Sequence, residues 1–207
     1  MSEELGKIEK PAVDTFRKGR KLYFIPLVYS NPESPAEYLE KFTKYWSQVE
    51  SQISDLEIKL GPVNRIYHEL IAVGGEEGTE TINKLNDSAY QVVKSRLARG
   101  AQLEVTEEGN LLTEFMDWNR CLSIRLQNQG VFLKVYESYT VAGKKRNEYI
   151  THHIDATLQA DEIGILLMRE GHQLQFPADI EVFYVAPPAL DEINRWLRDQ
   201  ETKPGGS

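Results

Sequence analysis

Apolar residues recur along this chain with two different spacings, one helical and one extended. Tyr38, Leu39, Phe42, Tyr45, Trp46, Val49, Ile53 and Leu56 follow one another at three- and four-residue steps, which predicts an amphipathic helix. Ser34 and Pro35 supply its N-cap and first turn, and Gly61-Pro62 stops it. The same spacing predicts a second helix from Thr79 to Arg99, stopped by Gly100, and a third from Asn110 to Gln127, ending before Gly130. Val131, Phe132, Val135, Tyr136 and Tyr139, followed by Tyr149, Ile150, Ile154 and Leu158, read as one long or kinked helix with a break allowed at Gly143. Leu190, Ile193, Trp196 and Leu197 mark a last helix over Ala189 to Asp199.

Between these helices lie short runs rich in β-branched and aromatic residues. Leu22 to Val28, Val63 to Val73 and Gln102 to Thr106 read as strands, with Pro26 expected at a sheet edge or a bulge because it lacks a ladder N–H. Ile163 to Met168 and Ile180 to Val185 are two further strands, both expected to be central. Strands alternating with long helices argue for parallel pairing, which needs crossover connections. The expected fold is therefore α/β, a three-layer Rossmann-like sheet, mainly parallel and flanked by long helices. One domain is expected over residues 21–200, between flexible segments at 1–20 and 201–207. The short spacing between the last two strands allows a hairpin or a crossover, and the strand order stays open.

Composition narrows the class. The chain has 207 residues, 41% hydrophobic and 27% charged, which sets wholesale disorder aside. The longest apolar run, Ile163 to Met168, is far short of the roughly 20 residues a membrane span requires. The acidic start Met1-Ser2-Glu3-Glu4 has no signal-peptide pattern, and Cys121 is the single cysteine, so a cytoplasmic location is expected. A net charge of −8 disfavours general nucleic-acid binding. The basic groups Arg17-Lys18-Arg20-Lys21 and Lys144-Lys145-Arg146 read as a solvated lead-in and a solvated helix face.

Candidate chemistry is sparse. Gly74-Gly75-Glu76-Glu77-Gly78 lies between a strand and a helix, where phosphates bind, but it carries two carboxylates and no P-loop lysine, so it reads as a turn. The best candidate site joins two strand ends, His68-Glu69 and Glu170-Gly171-His172, because a parallel sheet brings such ends to one edge. His68, Glu69, Glu170 and His172 are the acid/base candidates, and His68 and His172 the metal-ligand candidates. No cofactor is expected. His152 and Asp155 suit a helix-surface contact, and Cys121 a small buried hydrophobe. No Gly-x-Ser-x-Gly elbow occurs, and Asp191 and Glu192 disfavour an anion at the start of the last helix.

The segment Ile150 to Leu158, with Glu162 to Met168, resembles the helix-then-strand unit of release-factor and Pelota-like α/β domains and their uncharacterised prokaryotic relatives. The resemblance implies the α/β outline. It does not imply peptide release, since the glycine-glutamine motif is absent: Gly130 follows Gln129, and Gly171-His172-Gln173 has the wrong spacing. Three functions are open on these grounds. The first is a non-catalytic binding or interaction protein, with a protein partner, a small ligand or a homo-oligomer. The others are a metal-assisted or acid/base hydrolase and a ribosome-associated factor.

Overall fold

A computed structural model describes residues 18–202. The elements in chain order are β1 (Arg20–Pro26), α1 (Ala36–Leu60), β2 (Arg65–His68), α2 (Gly75–Leu85), α3 (Asp87–Leu97) and β3 (Gln102–Leu103). They continue with α4 (Gly109–Ser123), α5 (Gln129–Thr157), β4 (Ile163–Met168), β5 (Ile180–Tyr184) and α6 (Pro188–Glu201). The proposed flexible segments 1–20 and 201–207 lie almost wholly outside the described residues.

Every residue of β4 is buried, as its unbroken apolar sequence requires of a strand covered on both faces. It takes the middle of a five-stranded, all-parallel sheet of order β3-β2-β4-β1-β5. Insertion of β4 between β2 and β1 distinguishes this order from the 3-2-1-4-5 run of a Rossmann sheet. Alternate side chains divide the core. Tyr23, Ile25, Ile66, Ile165 and Leu167 pack against α1, α3 and α6, while Leu22, Phe24, Tyr67, Leu166 and Met168 face Ile150 and Ile154 of α5. Gly164 lies on the α5 face, where a Cβ would come within 3.0 Å of Leu22, 3.1 Å of Tyr67 and 3.3 Å of Leu158. The missing side chain lets these three residues close over the middle of the sheet.

Several expectations need correction. The strand expected to be central, β5, is an edge strand: beyond Ile180 its residues are exposed or half-exposed, and among the described residues no helix covers Val182 or Tyr184 on the α5 face. Pro26 lies neither on an edge strand nor in a bulge. It is the last residue of the internal strand β1: Val185 N still donates to Phe24 O at 2.8 Å, and pairing with β5 ends there, at the next ladder bond, which Pro26 has no N–H to give. β5 follows β4 by a helix-free crossover, residues 169–179, whose Leu174 and Phe176 pack on the α5 face.

The helix expected over Thr79 to Arg99 is two helices. Asn86 interrupts the periodic run because its side chain caps α3, accepting from Ala89 N at 3.1 Å, while its Nδ2 donates to Val28 O at 2.8 Å. Conversely, α5 runs unbroken through Gly143, whose Cα approaches the Phe115 ring closely enough that a Cβ would sit 3.4 Å from it. β2 stops at His68 because the chain turns at Leu70, which adopts φ 70°. Among the described residues no helix is long and apolar enough to cross a membrane.

The Gly164 contacts give a first test. Gly164→Ala forces Leu22, Tyr67 and Leu158 apart and is expected to cost about 1–3 kcal/mol, read as a lowered urea midpoint with unchanged slope.

Candidate functional site

The connections that leave neighbouring strands diverge at one end of the sheet. After β2 the chain enters α2 and α3, and Ile82 and Val93 pack with the α1 layer, whereas after β4 it runs over the α5 face. Divergence of this kind opens a crevice at the carboxyl ends of parallel strands, where open α/β sheets bind ligands. A cleft of about 450 Å³ occupies that place, bounded by Glu69, by residues 168–173 and by one side of α5 from Tyr136 to Asn147. A wider groove of about 970 Å³ continues along α5 toward Asp155, with Phe176 and Pro177 on its far wall.

A buried ion cluster forms the floor of the cleft. Arg146 comes from the buried stripe of α5 that also carries Ala142, Ile150 and Ile154. It pairs through Nε at 2.8 Å, and through Nη2, with both carboxylate oxygens of Glu107, and its guanidinium lies 4.9 Å from the Phe115 ring centroid. Glu107 is 1% exposed and also accepts from Leu70 N at 3.0 Å, while its own N–H donates to Ile71 O. It therefore holds the left-handed turn at Leu70, a conformation that costs a leucine about 1–2 kcal/mol.

Glu69 immediately precedes that turn and is 1% exposed. Arg146 Nη2 lies 3.8 Å from it, and Arg169 Nε approaches its two oxygens at 3.1 and 3.4 Å. Burial pushes the Glu69 carboxyl above its ordinary range, against the opposing pull of Arg169 and Arg146. Arg169 itself is half exposed at the mouth of the cleft.

The other candidates divide between the two faces of the sheet. His172 stacks edge-on to Phe24 at 4.4 Å, on the α5 face. Its Nδ1 accepts from Leu174 N at 3.3 Å and burial lowers its pKa, so the neutral ring carries its proton on Nε2. Glu170 is exposed and accepts from Tyr184 Oη and, at 3.3 Å, from Asn194 Nδ2. Glu69, Glu170 and His172 thus border one cleft.

His68 does not join them. It alternates with Tyr67 and points to the α1 face, fully buried, so the sheet separates it from His172 and the two cannot ligate one ion. Its Nδ1 donates to Glu69 O at 2.5 Å, Nε2 meets no partner among the described residues, and burial pushes its pKa down to about 4. Among the described residues no group of three or more His, Cys, Asp or Glu could hold a metal ion.

The remaining motifs have structural explanations. Gly78 is required because a Cβ would lie 2.4 Å from Val73 O, and the acidic turn Glu76-Glu77 opens α2. Asp155 is taken up by Arg20 at 2.8 Å, leaving His152 exposed beside it. Lys21 is buried, with its Nζ donating to Lys18 O and Gly19 O, so Arg20 and Lys21 of the basic lead-in belong to the fold, while Arg17 lies outside the described residues. Cys121 is half-buried in α4.

Sequence reading missed Glu107 and Arg169, and its solvated helix face Lys144-Lys145-Arg146 is corrected at Arg146, which is 3% exposed. For Arg146 a signal existed: it falls four residues after Ala142 and four before Ile150, on the apolar stripe of its helix. Comparison with protein-family models, curated proteins and solved structures gives no match to this chain. The class that fold and site define is an all-parallel α/β protein with a charged, aromatic-walled cleft at a point of strand divergence.

Two measurements address this site. Glu107→Ala strands Arg146 in the interior and frees Leu70 N, and is expected to cost about 3–5 kcal/mol by chemical denaturation. Depression of the His68 pKa makes the unfolded chain bind the extra proton first. Its contribution therefore falls as pH drops from 6.5 toward about 4, by about 3 kcal/mol in total. Raised carboxyls such as Glu69 act with the opposite sign, so the readout is the difference between wild type and His68→Phe. That difference should shrink across the same window.

Proposed function

We propose that this protein binds a small anionic organic molecule in the cleft between the 168–173 segment and α5. Arg169 carries the reading: its guanidinium stands half exposed at the mouth, anchored from behind by buried Glu69, and so is aimed by the protein and still open to a ligand. His172 adds a neutral Nε2–H donor on the same segment, and Tyr136 and Tyr139 offer ring surface for an apolar portion. A carboxylate or phosphate monoester attached to a ring or short chain matches these groups. The arrangement favours recognition over turnover, since Arg146 is committed to Glu107 and Glu170 to Tyr184 and Asn194.

One observation favours a second reading, acid/base hydrolysis: Glu69 is buried beside a half-exposed arginine, and burial raises its pKa, so it holds a proton more readily than a free carboxyl.

A thermal-shift screen with aromatic and aliphatic carboxylates and phosphate monoesters tests the first reading. Hits should raise the melting temperature of wild type, and Arg169→Ala should abolish that shift, read against the variant's own ligand-free melting temperature, which loss of the Glu69 partner lowers. Hits that stabilise Arg169→Ala equally would refute the assignment. Turnover of ester or phosphoester substrates that disappears in Glu69→Gln would favour the second.

A further inference from the structure

Helices of a globular protein usually bury one stripe against the body of the fold, and α5 does so only from Ala142 onward. From Gln129 to Val141, about 20 Å of helix, it has no buried residue. This stretch packs with α4, whose single buried residue is Phe115. α4 and this amino half of α5 form a hairpin with one layer where a stable helical unit has two. Its exposed side chains include six large hydrophobics, five on α5 and one just after α4: Ile124, Val131, Phe132, Leu133, Tyr136 and Val141 are between 42 and 63% exposed. Among the described residues the other exposed large hydrophobics are spread over α1, α2, α6, β5 and the loop at Val73.

We propose that this hairpin is where two copies of the chain pair, each lending the other the missing layer. The six side chains expose on the order of 500 Å² per copy, and Leu133, Tyr136 and Val141 fall toward one side of α5. They supply the apolar centre of a contact whose remaining area, up to the roughly 800 Å² per partner of a stable dimer, comes from polar neighbours. Two hairpins laid together make a four-helix bundle, which closes by two-fold symmetry. Charge fits the same arrangement. Between Gln129 and Val141 the only charged residues are Lys134 and Glu137, placed almost symmetrically about the middle of the stretch. Antiparallel pairing about that middle sets Lys134 of each copy against Glu137 of the other. A lipid surface would call for an excess of cations on such a helix, whereas this stretch is neutral and the chain carries −8.

The test is light scattering and sedimentation of the full chain across a concentration series. The expected mass is twice 23.7 kDa, falling toward one copy on dilution. Leu133→Asp with Tyr136→Asp should weaken the dissociation constant by at least about tenfold. Should that variant lose its native circular dichroism, charge reversal decides: Lys134→Glu or Glu137→Lys alone should weaken pairing, and both in one chain should restore it. A monomer at every concentration overturns the proposal, as does pairing indifferent to these changes or a double reversal as weak as the single ones. A monomer that instead co-sediments with phosphatidylcholine–phosphatidylglycerol vesicles overturns it in favour of a lipid surface.

Discussion

The geometry of the cleft depends on one buried ion pair, Arg146 with Glu107. Two fully desolvated charges are costly unless every lone pair and proton is engaged, and here they are engaged outward as well as with each other. Glu107 also accepts from Leu70 N, and Arg146 reaches Glu69 and lies against the Phe115 ring. The pair therefore ties α5 and α4 to the end of β2 and holds a leucine in a left-handed turn that it would otherwise leave. Through that turn it sets the position of Glu69, and through Glu69 that of Arg169.

Topology supplies the space that this network lines. With β4 placed between β2 and β1, the chain leaving β4 must pass over β1 to reach β5, and it does so without a helix. Residues 169–179 consequently form a thin wall facing α5, where a helical crossover would have filled the crevice. An irregular segment can present Arg169 and His172 at angles a regular helix would not allow. Leu174 and Phe176 fasten it to the same face of the sheet.

The length of α5 links the cleft to the hairpin. Its carboxyl half is part of the core, through Arg146, Ile150 and Ile154, and its amino half has α4 for company. Tyr136 lies where the two meet, lining the cleft while more than half exposed. The proposed pairing surface and the proposed ligand cleft thus adjoin, so each could alter the other through this one rigid helix.

Much of this was legible in the residue order. The stripe from Tyr38 to Ile53 specified α1, the unbroken run Ile163 to Met168 specified a doubly covered strand, and strand–helix alternation specified parallel pairing. These features are local, since a hydrophobic period names an element and the face it buries whatever its neighbours are. Arg146 carried a mark too, its place on an apolar stripe, but the basic run Lys144-Lys145-Arg146 reads as a solvated helix face and concealed its burial. What remained hidden depends on contacts between distant residues. Nothing near Glu107 indicates that it will meet a side chain from α5, nothing near Ile180 that β5 will end at an edge, and the adjacency of His68 and Glu69 conceals that they point to opposite faces. Periodicity determined what the elements are. Strand order, which depends on the summed packing of every element at once, decided which side chains share a cleft.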